Sequence, residues 1–108
     1  MVSFPQGERE RRAPRLHPAE FTPIVIRCRD GRRISGKLNC VSVTGGLVSP
    51  SALLPPGSLV NLLFVTSKGP VTGTVEMLHP VSWTEQPFKF AAIPEAHQSR
   101  LRAMIQTA

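Results

Sequence analysis

Arg11 and Arg15 stand four residues apart in the basic stretch Arg11-Arg12-Ala13-Pro14-Arg15, a spacing that suits gripping one anion from two sides. Guanidinium groups bond phosphate bidentately and stack on flat rings, each charge-assisted bond being worth ~1.5 to 3 kcal/mol. Pro14 discourages helix and favours an extended path, so Arg11 and Arg15, with Arg12 between them, reach a ligand from different points. Further along, Ser42-Val43-Thr44-Gly45-Gly46 offers a hydroxyl beside the backbone donors of a turn. Gly45 and Gly46 there let a backbone approach a flat ring closely. This is recognition chemistry rather than catalysis. The acids are scattered, no serine sits in a nucleophile elbow, and no Gly-x-x-x-x-Gly-Lys loop is present, so no enzyme is expected.

Charge says where the partner goes. Residues 1 to 37 hold nine Lys/Arg against four Asp/Glu, whereas residues 38 to 108 hold four against three. A basic arm and first hairpin on a near-neutral body imply a localised anionic partner: a phosphate ligand, nucleic acid or an acidic protein surface. A chain of 108 residues holds one core and therefore one domain. No apolar run approaches the ~20 residues of a membrane span, and no hydrophobic signal core follows Phe4, so a cytoplasmic protein is expected.

Asp30-Gly31 reads as a two-residue hairpin turn, which sets Arg29 against Arg32, Cys28 against Arg33 and Cys40 against Phe21. Seven residues of strand then part the two thiols by about 23 Å along the ladder. A disulfide needs Cα atoms within ~7 Å, so both cysteines are expected to be thiols in a reducing compartment. Cys40 has no neighbouring His or Lys to activate it and reads as a small core or bulge residue. His17, His79 and His97 lack metal-ligand spacing, and no metal site is expected.

The elements that position these residues follow from periodicity. Residues 1 to 19 carry three prolines and little pattern and read as a flexible basic arm; residues 20 to 108 form the body. Phe21 to Arg29 and Arg32 to Val43 make the first hairpin. In its second strand Ile34 and Leu38 share one parity and Val41 and Val43 the other, which predicts a β-bulge near Asn39-Cys40. Thr44-Gly45-Gly46 reads as a turn, Leu47 to Ser49 as a strand and Ser51 to Gly57 as a loop. Leu59 to Thr66 reads as a buried strand. Val71 to Leu78 alternates Val71, Gly73, Val75 and Met77 inward, and Phe88 to Ile93 is the last strand. Trp83 is expected to anchor its loop by packing on the body. Pro94-Glu95 starts a helix that lays His97, Leu101, Met104 and Ile105 on the sheet. The sum is an all-β fold: a small six-stranded antiparallel β-barrel with a C-terminal α-helix.

The Arg-x-x-x-Arg arm, the Ser-x-x-Gly strand end and this layout resemble the PilZ family, whose signature joins Arg-x-x-x-Arg to (Asp/Asn)-x-Ser-x-x-Gly. The resemblance spans nearly the whole chain. It implies a bacterial receptor for the second messenger cyclic di-GMP, bound as a ligand with no cofactor and signalling by ordering of the arm. By position Arg11 and Arg15 match the arm, Ser42 the serine and Gly45 the glycine, with Arg12 and Gly46 beside them. Cys40 stands where Asp or Asn would accept from a guanine edge. A thiol accepts weakly, which costs about 1 to 3 kcal/mol, tenfold to about a hundredfold in affinity. Asn39 takes over that role if the bulge turns it outward.

Two further readings stay open. A PilZ-like domain that lost its ligand through Cys40 would act as an adaptor for an unidentified protein partner. A basic barrel binding nucleic acid would use the arm and first hairpin, although the lack of Tyr and the 6% aromatic content count against a stacking platform.

Overall fold

Ile24 and Ile26 alternate with Pro23, Val25 and Arg27, and this period of two builds strand β1 (Thr22–Arg27) with both isoleucines turned into the core. The computed structural model describes residues 22–107. After β1 come β2 (Arg33–Val41), β3 (Gly45–Pro50), β4 (Leu59–Thr66), β5 (Gly69–Met77), β6 (Gln86–Ala92) and the helix α1 (Glu95–Thr107). The six strands pair antiparallel in the order β1-β2-β3-β6-β5-β4 and close into a barrel, as the strand pattern predicts. Leu62, Phe64, Val71, Val75 and Phe88 fill it.

The first hairpin corrects the expected register by one residue. Cys28 N–H donates to the Arg32 carbonyl at 2.8 Å and Gly31 N–H to the Cys28 carbonyl at 3.0 Å, so the loop is three residues, Arg29 to Gly31, not two. Gly31 takes φ 93°, the left-handed position that this three-residue loop requires and that glycine adopts without a Cβ penalty. Arg33 therefore faces Arg27, not Cys28, and Ile26 faces Ile34. The physical reason is burial: this register sets isoleucine against isoleucine on the inner face, whereas a one-residue slip would set Ile26 against Ser35. Arg32 closes the loop through its backbone N–H and side chain, both donating to Asp30. Its backbone bond, chiefly, holds the Asp30 carboxyl below its usual range. Cys28 and Cys40 are both buried and form no disulfide with each other.

The bulge falls where the parity change places it. Pairing of β2 with β3 shifts between Leu38 and Cys40, which allows Leu38 and Val41 to bury on the same side. Two other expectations need correction. Gly45 and Gly46 are not in the turn but open β3, paired with Lys89 and Phe88 of β6. And β4 is buried on one face only: Leu59, Leu63 and Val65 alternate outward into solvent.

The helix sits on β5. Thr72 N–H donates to His97 Nδ1 at 3.0 Å, the Arg100 guanidinium donates to the Pro70 carbonyl at 2.7 Å, and Leu101 is fully buried beneath. A buried Gln86 ties the other end together. Its Oε1 accepts from Leu54 N–H at 2.9 Å, and its Nε2 donates to the carbonyls of Leu54 at 2.7 Å and Leu78 at 2.8 Å. Those bonds join the 51–58 loop to the β5–β6 loop.

Candidate functional site

Residues Val41 to Gly45 make a tight reversal that satisfies itself. Ser42 N–H donates to the Gly45 carbonyl at 2.7 Å, and the Ser42 hydroxyl lies 3.0 Å from Thr44 Oγ1 and 3.2 Å from that same carbonyl. Ser42 is thus buried and spent on the turn, while Thr44 is exposed at its tip.

An open cleft of about 670 Å³ runs from this turn along β6, lined by Ser42, Thr44, Gly45, Gly46, Lys89 and Phe90, with Gln98 of the helix at its edge. Phe88 and Phe90 meet edge to face beneath it at 5.5 Å. Lys89 is exposed and lies 3.5 Å from Glu76. The cleft offers a flat ring an aromatic wall, a hydroxyl, an amide and one cation. Composition and spacing flagged Ser42, Gly45 and Gly46; they did not flag Lys89, Phe90 or Gln98. These three come from β6 and α1, far along the chain, and only the β3–β6 pairing brings them to the turn.

The glycines have a structural reason as well. A Cβ on Gly45 would run into the Phe88 carbonyl oxygen and come within 2.9 Å of Lys89 Cα; one on Gly46 would meet the Cys40 carbonyl oxygen. Close strand approach therefore needs both.

Cys40 is 3% exposed and Asn39 is half-buried, and neither lines the cleft. The bulge does not leave Asn39 available: its Nδ2 donates to Ser49 Oγ at 2.9 Å and Glu85 Oε2 at 3.0 Å, and its buried Oδ1 has no partner. Arg11, Arg12 and Arg15, and the arm over residues 1 to 19, lie outside the described residues. What the described chain does give is the end of the barrel at which it starts. Thr22 pairs with Leu38, and β2 runs on from there to Val41, just before the turn at Ser42, so β1 begins at the end that carries the turn.

Trp83 corrects another expectation. It is 92% exposed on the β5–β6 loop and does not pack on the barrel, the loop being held by Val81 N–H on the Glu85 carbonyl and by Asn39 on Glu85 instead.

Among the described residues no group of three or more His, Cys, Asp or Glu side chains gathers to hold a metal ion. None of their helices is long and apolar enough to cross a membrane. No family model and no curated protein sequence matches the chain. Solved structures do. The PilZ domain of CeSA from a cellulose-synthesising bacterium matches with a TM-score of 0.65 at 14% identity, over 86% of this chain and 95% of that one. The Bacillus subtilis inhibitor of motility, MotI/DgrA, matches with a TM-score of 0.69, also at 14% identity, over 90% of this chain and 48% of that one. The chain therefore has the fold of a PilZ domain: a closed six-stranded barrel with one helix behind it.

Proposed function

We propose that this chain is a non-catalytic receptor domain that takes cyclic di-GMP in the cleft beside Ser42 to Gly46, with Arg11 and Arg15 closing over it and Arg12 beside them. The arm orders around the ligand and so alters the surface presented to a partner protein. The observation that carries this reading is the placement of the 670 Å³ cleft at the barrel end where β1 begins, so that the basic stretch preceding Thr22 is joined to the chain at that end. A PilZ-like fold, the turn at Ser42 and the aromatic wall of Phe90 support it. Titration calorimetry is the test. Cyclic di-GMP is expected to bind, and Arg11→Ala or Arg15→Ala to weaken it by about tenfold or more each. No heat at high micromolar ligand rejects the reading.

Cys40 and Asn39 favour a second reading, the ligand-free adaptor. With Cys40 buried and the Asn39 amide held by Ser49 and Glu85, no side chain at the bulge faces the cleft to accept from a guanine edge. Restoring an acid would not repair this. Cys40→Asp is expected to destabilise the fold by about 2 kcal/mol at pH 7, because burial raises the carboxyl pKa. The raised folded-state pKa fixes the sign: the penalty is absent below the ordinary carboxylate range, where both states are protonated, and grows as pH rises through it. Urea melts of the variant between pH 4 and pH 7 check this.

A further inference from the structure

We propose that the outer face of β1 and β4, centred on Val25, Leu63 and Val65 and bordered by Arg27 and Arg33, docks an acidic amphipathic helix of a partner protein. Val25 lies directly across from Leu63, and both are about 40% exposed, at 39% and 41%; Val65, on the same face two residues along, is 67% exposed. Leu59 extends the face at the other end of β4. A contiguous aliphatic patch exposed on a barrel wall costs solubility unless something covers it.

The charges beside it give the sign of the occupant. Arg27 and Arg33 sit directly opposite one another across β1 and β2, a like-charge pairing that opposes folding. Among the described residues neither forms an ion pair. A depression of about 230 Å³ lined by Arg27, Arg29, Leu59 and Asn61 lies at this end of the face, where a carboxylate side chain fits. An acidic partner turns that repulsion into attraction. A second copy of this chain does not, since each copy carries a net charge of +6.

The fold also limits the partner's shape. The barrel is closed, so there is no free edge to which an added strand could pair, and a partner must dock on side chains. An apolar stripe flanked by acids on a helix answers a narrow aliphatic band beside arginines. Val25, Leu63 and Val65 have no ring to stack a nucleobase, which turns the face away from nucleic acid. The inference gives the partner of the proposed receptor or adaptor a surface and a chemistry, and it does not depend on nucleotide binding.

The experiment uses the full chain, isotope-labelled for NMR, and a synthetic helical peptide with leucines at i, i+3, i+4 and i+7 and glutamates on its flanks. Saturable shifts are expected at Val25, Leu63, Val65 and Arg27, with and without cyclic di-GMP. Failure of the nucleotide to bind therefore leaves this result standing. Leu63→Thr with Val65→Thr, both surface changes that keep the strand, are expected to weaken the peptide by about tenfold. Arg27→Glu with Arg33→Glu is expected to reverse the preference, so that a lysine-flanked peptide binds instead. Equal binding of both peptides to the unaltered chain overturns the proposal, as do shifts confined to the cleft. So does a dimer that Val65→Thr dissolves, or a stronger response of these residues to anionic phospholipid vesicles than to the peptide.

Discussion

Gln86→Leu is expected to lower the stability of the barrel by about 4 kcal/mol, although leucine is close to glutamine in size and more apolar. The cost lies in what the glutamine leaves behind. Three backbone groups are satisfied by this one fully buried amide, the Leu54 N–H and Leu54 carbonyl in buried bonds and the Leu78 carbonyl in a part-buried one. Each buried group left without a partner costs ~1 to 3 kcal/mol, partly relieved as the loops adjust. Gln86→Glu keeps the acceptor for Leu54 N–H but sets a carboxylate oxygen against two carbonyls. It is expected to be tolerated better at low pH, where the protonated acid can donate to one of them. Urea unfolding followed by far-ultraviolet circular dichroism measures both, and a loss under 1 kcal/mol for the leucine variant would show that water replaces the side chain.

Gly45→Ala is the second large effect, about 3 kcal/mol, and it comes from overpacking rather than loss. The added methyl would have to displace the Phe88 carbonyl and the Lys89 backbone, which are the rungs holding β3 to β6. Because those two strands carry the cleft, the same change is expected to abolish any binding there. Gly57→Ala supplies the contrast: a Cβ there meets open space, and only its φ of 88° opposes the change, for about 1 kcal/mol. A comparable loss at both positions would mean that β3 and β6 can part without strain.

The elements were legible where periodicity and chemistry agreed. Leu59–Thr66 emerged with its bounds, and the bulge followed from the conflict of parity between Leu38 and Val41. The hairpin register was misread because Asp-Gly signals a turn without fixing its length. Matching Ile26 to Ile34 across the turn would have fixed it. Gly45 and Gly46 looked like turn residues because nothing local announces that a distant strand, β6, needs their bareness. Gln86 was invisible for a similar reason: a polar residue between Glu85 and Pro87 reads as loop, and its value lies in Leu54 and Leu78. The candidate site was half legible. Ser42, Gly45 and Gly46 line the cleft, whereas Lys89, Phe90 and Gln98 reach it only through the closure of the barrel.

Trp83 is the sole indole of the chain and stands almost wholly in water. Its fluorescence is therefore expected to be red-shifted and open to acrylamide quenching in the native protein, and to change little on denaturation. A melt watched by that emission would look flat while circular dichroism recorded collapse. The same insensitivity makes the ring a clean optical lamp for one event, because a blue shift reports something settling on the β5–β6 loop and drying it.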